Sequence, residues 1–437
     1  MTLSPKQSGQ KKLQQSSWLF LVILSALMAF TSLSTDIYLP AMPQMHRDLQ
    51  GDVELTITGF LIGFAIAQLI WGPISDRIGR RIPLFIGTIL FIIGSIGCAL
   101  SQNIEQIVFW RIFQALGACT GPMLARAIIR DLYARTKAAQ MLSTLTIIMA
   151  IAPIVGPLLG GQIIRISTWH SIFWLLAVIG ALMFFSIFIL PETHPAEKRA
   201  KTSVFGAFGS YRQLLSNRQF MRYTLCIAFF YVSAYAFIAG SPFVYITYYG
   251  VGTQYYGALF AVNLLGVIGL SFVNRTLVKK VDLDTLLRIA TVIAMIATIV
   301  LALLVWFQIG GIYGIVITVF IFFSMNAMIA ASATAAALDG VPELAGSASA
   351  LIGSLQYGSG IISSILLARL GDGTPWTMAW IMAVFTIASA AMALSSAGKG
   401  TRLWRDDNKA AFYIRDAMRM IPLYLESSPH DLNHSSW

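Results

Sequence analysis

Apolar residues run along this chain in long blocks rather than in alternation. About twelve blocks are each long enough to cross a bilayer, which takes roughly 20 mostly apolar residues. They cover 18–43, 53–75, 83–101, 104–130, 138–165, 169–191, 220–245, 253–274, 285–307, 311–338, 342–371 and 375–397. The longest interruption, 192–219, reads ETHPAEKRAKTSVFGAFGSYRQLLSNRQ and splits the blocks six and six. The pattern predicts an all-α membrane protein. Its parts are an N-terminal tail (1–17), a six-helix unit (18–191), a central loop (192–219), a second six-helix unit (220–397) and a C-terminal tail (398–437).

Composition agrees with that pattern. Of 437 residues, 57% are hydrophobic and 11% charged, whereas a soluble domain carries roughly 25% charged residues. The net charge of +11 does not point to nucleic acid, because the basic residues sit in short loops between apolar runs. With an even number of spans both termini lie on one side. If that side is the cytoplasm, it holds about 25 of the Lys and Arg, and the positive-inside rule fixes the orientation. The opposite side holds Arg47, Arg165 and Arg369, while Arg111 and Arg126 fall within the fourth span. The first apolar run is too long for a signal-peptide core and lacks a cleavage site, so it is read as a span that stays. The tail after 398 carries scattered aromatics and reads as a basic amphipathic helix or as disordered chain.

Candidate chemistry is sparse. Cys98, Cys119 and Cys226 lie in apolar runs with no metal-ligand spacing and read as packing residues. His46, His170, His194, His430 and His434 form no cluster with acids or cysteines, and no activated nucleophile is visible. The sequence therefore predicts no metal, no cofactor and no enzyme. A receptor or channel is the other class weighed.

The first informative stretch is STDIYLPAMP, Ser34 to Pro43. Asp36 ends a run of hydrocarbon, where a carboxylate is costly and usually marks a transport path. At 1.5 Å per residue Asp36 and Arg111 each lie roughly 10 Å from the outer end of their spans. They could pair, or act through shared water. Either this is a static pair (or an acid snorkelling outward), or Asp36 takes a proton on one face and loses it when a substrate arrives. The second stretch is GPISDRIGRR, Gly72 to Arg81. Gly72, Pro73 and Gly79 suit a tight reversal, and Asp76, Arg77, Arg80 and Arg81 face Asp131 as a possible ionic latch. The third is APIVGPLLGG, Ala152 to Gly161, where glycines and prolines bend a helix and let another approach.

These stretches together resemble the major facilitator superfamily, and within it the twelve-span drug:proton antiporters. LSTDIYLPAMP looks like the first-span signature of the bicyclomycin- and chloramphenicol-resistance (Bcr/CflA) branch. GPISDRIGRR is similar to the superfamily's loop 2–3 motif. WRIFQALG, with Arg111 and Gln114, resembles the fourth-span motif, and Gly156, Pro157, Gly160 and Gly161 match the fifth-span antiporter motif. Ala115, Ala152 and the degraded repeat NRTLVKKVD depart from the family pattern. The resemblance covers about 15–397. It implies the major facilitator fold, with twelve transmembrane helices in two six-helix bundles that rock about a cavity near the midplane. Asp36 and Arg111 would both face that cavity as the proton-coupling pair. Asp76 would meet the start of span eleven, and Arg77 would reach Asp131.

Candidate substrate contacts are Tyr38, Gln114, Tyr231, Tyr235, Asn263, Asn326 and Gln356. Tyr231 and Tyr235 are four apart and share a helix face. Tyr245, Tyr248 and Tyr249 read as an interfacial belt. An aromatic, amide-bearing cavity with one acid suits amphipathic molecules. The expectation is a monomeric, proton-coupled multidrug exporter of the bacterial inner membrane, driven by the proton motive force. Its partners would be protons, a small amphipathic substrate and the lipid bilayer, with no nucleic acid. The alternative is a proton-coupled carrier of a metabolite such as an amino acid or nucleoside.

Overall fold

The computed structural model describes residues 17–133, 135–199, 206–278 and 280–395. Most of the N-terminal tail and the tail after 398, with His430 and His434, lie outside the described residues. The spans are span 1 (Ser17–Asp36), span 2 (Leu55–Ile78), span 3 (Arg81–Leu100), span 4 (Ile104–Ala118 and Thr120–Leu132), span 5 (Arg135–Ile166) and span 6 (Trp169–Ile187). After the connecting segment come span 7 (Arg218–Pro242), span 8 (Thr253–Leu277), span 9 (Leu283–Trp306), span 10 (Gly311–Ser324 and Asn326–Asp339), span 11 (Ala345–Gly358 and Gly360–Leu370) and span 12 (Pro375–Leu394). Among the described residues eleven helical stretches are long and apolar enough to cross a membrane, and the apolar half of span 5, Ile151–Ile166, is shorter. The connecting segment carries a helix, Gly206–Ser216.

Spans 1–6 pack into one bundle and spans 7–12 into another. Span 4 lies against spans 2 and 3, span 5 against span 1, and span 12 against spans 7 and 9. Spans 5 and 8, and spans 2 and 11, meet across the gap between bundles. Every backbone group at membrane depth needs a partner, because lipid offers none. Where proline breaks the ladder, a side chain steps in. Pro122 cannot donate to Ala118, and Thr31 Oγ1 of span 1 donates to that carbonyl at 3.1 Å.

Span 1 stops at Asp36 for the same reason. Pro40 has no N–H for the Asp36 carbonyl, so the chain turns through a 3₁₀ segment, Leu39–Ala41, before the short helix Met42–Leu49. The reversal between spans 2 and 3 is tighter than GPISDRIGRR suggests. Gly72 and Pro73 remain inside the span 2 helix, and Gly79, at φ 99°, makes the turn. Likewise Tyr245 is not part of an outer belt. It is fully buried against Phe237 and Tyr256, while Tyr248 is exposed.

Candidate transport site

The broken end of span 1 is held by Arg111 from span 4. The last carbonyls of a helix lack partners, and a cation there also meets the negative end of the helix dipole. Arg111 Nη1 donates to Ser34 O at 3.0 Å and to Gln114 Oε1 at 2.6 Å, and Nε donates to Thr56 O at 3.4 Å. The rings of Tyr38, Phe60 and Phe173 lie 4.4, 4.5 and 5.9 Å from the guanidinium carbon. Gln114 is braced in turn, its Nε2 donating to Ser95 Oγ at 2.8 Å. A buried charge is tolerated when its donors are satisfied. Here carbonyls and aromatic faces do this in place of a carboxylate.

Three expectations change as a result. Among the described residues no ion pair joins Arg111 to Asp36, since both salt bridges belong to Arg80. Arg111 is completely buried and lines no open space, and its guanidinium acts on Asp36 through space rather than by contact. Tyr38 and Gln114, also completely buried, belong to the Arg111 cage and are not open to a substrate. The Tyr38 hydroxyl is spent on Thr56 Oγ1 at 3.1 Å. Arg126, the other arginine of span 4, is exposed and turns its Nε back to Pro122 O at 2.9 Å.

Asp36 itself is 7% exposed. Gly156 of span 5 backs onto it: a Cβ at Gly156 would lie 3.3 Å from Asp36 Cβ and from Ile37 N. One turn further on, a Cβ at Gly160 would run into the Ile37 carbonyl. Only glycine permits that approach of two backbones. Gly161 and Pro157 turn to the other bundle, against Thr253 and Gly257 of span 8. The fifth-span motif therefore touches the acid on one side and the opposite bundle on the other.

From that opposite bundle come aromatic groups. Tyr235, Tyr256 and Tyr357 are all within electrostatic reach of Asp36. The Tyr357 ring lies 4.3 Å from Phe64 of span 2 and 6.5 Å from Tyr235, so it spans the two bundles. Tyr231 lies 6.3 Å from Tyr235, ring to ring, and donates to Asn326 Oδ1 at 3.2 Å, with Gln356 also in contact. Four of the sequence-predicted contacts, Tyr231, Tyr235, Asn326 and Gln356, thus gather in one place. Asn263 is buried in span 8 with neither amide atom hydrogen-bonded among the described residues. Tyr357 and Tyr256 were not singled out from the sequence. Tyr357 directly follows Gln356, but a tyrosine in a span usually reads as packing or belt.

On the face that carries the connecting segment, the charges of GPISDRIGRR are arranged differently from the expected latch. Arg80, not Arg77, reaches Asp131: its Nε donates to Asp131 Oδ2 at 2.9 Å and its Nη1 to Asp76 Oδ1 at 2.6 Å. Arg77 points outward, with no ion pair among the described residues. The tight turn at Gly79 swings Arg80 inward, beneath the ends of spans 2 and 4. Asp76 is held by Arg80 four residues on, not by the start of span 11. Arg81 Nη2 donates to Phe188 O at 3.5 Å. Glu192, just past span 6, completes the cluster. Its Oε1 and Oε2 accept from the backbone N–H groups of Arg80 and Arg81 at 2.9 and 3.1 Å, capping the N-terminus of span 3. Thr193 Oγ1 donates to Asp131 Oδ2 at 3.2 Å.

The site is a buried acid at the seam of two helical bundles, with a charge cluster that ties the spans of the first bundle together. Residues 22–364 match the model of the Major Facilitator Superfamily, so the chain belongs to that family and is a multi-pass membrane transporter of small molecules. It is 38% identical over 371 residues to the uncharacterized MFS-type transporter YdgK of Bacillus subtilis, covering 84% of this chain and 92% of that one. It is 30% identical to the bicyclomycin resistance protein homolog of Haemophilus influenzae, covering 86% and 95%. These relatives place it in the Bcr/CflA branch. The inward-open xylose transporter XylE from E. coli, in a partially occluded state, shares the fold at a TM-score of 0.66 and 15% identity, covering 89% of this chain and 100% of that one.

Proposed function

We propose that this protein exports amphipathic drugs, of the bicyclomycin and chloramphenicol kind, across the bacterial inner membrane in exchange for protons. The observation that carries the proposal is the position of Asp36. It sits where span 1 breaks, against the Gly156 face of span 5, and feels the electrostatic influence of three tyrosines from the other bundle. A carboxyl in so dry a place is costly to keep charged and costly to leave unpaired. It therefore favours either a proton or a cargo group that offers donors or positive charge, and the two compete for it. Aromatic rings and amides beside it suit flat, partly apolar molecules with a few polar groups. Arg111 serves by fixing the span 1 break that presents the acid.

The similarity to a relative named for bicyclomycin resistance supports the cargo class, and the basic residues of the even-numbered loops support cytoplasmic termini. The test is a panel of toxic compounds on a pump-deficient bacterium expressing the full chain, with and without a protonophore. Protection against several amphipathic compounds, lost with the protonophore and lost in Asp36→Asn at equal membrane abundance, is the expected result. Full protection by Asp36→Asn would refute the carrier role of the acid. Protection against none, together with proton-driven uptake of an amino acid or nucleoside, would replace the drug by a metabolite.

A further inference from the structure

Pro73 lies inside span 2, and a proline has no N–H to give to the carbonyl four residues back. That carbonyl belongs to Leu69. It is filled from the segment that connects the bundles: the Tyr211 hydroxyl donates to Leu69 O at 3.0 Å. Tyr211 is 6% exposed and stands on the helix Gly206–Ser216, which packs against spans 7 and 11. The hydrogen bond thus runs from a helix seated on the second bundle to the backbone of the first. At Pro122 the same defect is repaired by Thr31, but there both partners belong to one bundle.

Around this contact spans 2 and 11 are packed together, from the middle of the spans toward the linker side. A Cβ at Gly353 would lie 3.3 Å from the Gln68 side chain, and one at Gly358 would lie 3.4 Å from Ala65 Cβ. The Tyr211 bond therefore belongs to the arrangement in which the bundles are shut on the linker side. If they rock apart there, water reaches Leu69 O and takes the place of the hydroxyl. A carbonyl without a donor is penalised only while it is buried. We infer that the Tyr211 hydroxyl is a positioning group for the transport cycle, one that favours closure on the linker side, and that Pro73 creates the need for it. The inference rests on the rocking-bundle reading but not on the identity of the cargo.

The experiment measures a distance and requires no transported drug. Arg130→Cys and Glu343→Cys, both exposed and on the linker side of different bundles, carry spin labels in the full chain in proteoliposomes. The native cysteines are buried. Tyr211→Phe keeps the ring and removes the donor. The long-distance population relative to the short one should rise about fivefold, the factor that a typical net hydrogen bond corresponds to. In a Pro73→Ala background the helix supplies its own N–H to Leu69 O, so Tyr211→Phe should then leave the populations unchanged. An unchanged two-distance distribution in Tyr211→Phe, or an equal rise in both backgrounds, would overturn the inference. One fixed distance in every variant would instead overturn the rocking-bundle reading, and the inference with it.

Discussion

Arg111 shows how much a single side chain can decide here. Its planar fork meets three oxygens while aromatic faces cover the rest of the group. A lysine keeps the charge but has neither the fork nor the plane. Arg111→Lys should lower efflux at least tenfold with the protein still inserted. It should also lower the thermal unfolding midpoint in detergent, since each charge-assisted bond lost is worth about 1.5–3 kcal/mol. Tyr38→Phe keeps the ring over Arg111 while removing the hydroxyl's bond to Thr56 and its contact with Arg111, and should cost about 1–2 kcal/mol, with transport largely kept. Equal damage from the two would argue against the cage. From the sequence, Asp36 and Arg111 stand out because ions in hydrocarbon always do. The absence of an ion pair between them was not legible. Depth along two helices sets how high a residue sits, not which way its side chain turns.

Among the elements, the span 5 motif and the turn after span 2 divide their glycines by purpose. A Cβ at Gly160 would strike the Ile37 carbonyl, whereas one at Gly72 would meet open space. Gly160→Ala should therefore force spans 1 and 5 apart and abolish efflux. Gly72→Ala, in a helix interior, should be tolerated or add up to about 1 kcal/mol of stability. Thermal stability and drug protection measured side by side would check the pair. The charge cluster makes a similar contrast. Arg80→Ala leaves Asp131, of which only 19% of the side chain is exposed, without its cation. Losing the charge-assisted bond of a partly buried pair costs about 1.5–3 kcal/mol. Arg77→Ala, at an exposed position, should change stability by less than about 0.5 kcal/mol. A larger effect at Arg77 than at Arg80 would mean that the cluster is wrongly assigned. The motif places four charges within six residues, but the φ of Gly79 decides which arginine turns inward. Glu192 gave no signal at all, because the carboxylate that caps span 3 comes from the far end of span 6.

For the whole molecule, the orientation proposed from the basic loops can be tested directly. Glu197 and Asp372 are both exposed and lie on opposite faces of the proposed topology. In intact cells a membrane-impermeant thiol reagent should label Asp372→Cys and leave Glu197→Cys unlabelled until the membrane is opened. The reverse pattern would invert the proposed direction of transport.

Twelve apolar blocks, six on either side of a polar segment, were enough to establish a helical membrane protein in two halves, because lipid accepts few other folds. The same bias against charge made the acid and the arginine visible. The tertiary structure alone decided what those groups touch. The Arg111 cage, the seat of Asp36 against Gly156 and the gathering of Tyr231, Tyr235 and Tyr357 depend on how helices rotate and cross. Neither hydropathy nor spacing encodes that rotation. It is set by where glycines let backbones meet and where prolines leave carbonyls for other spans to fill.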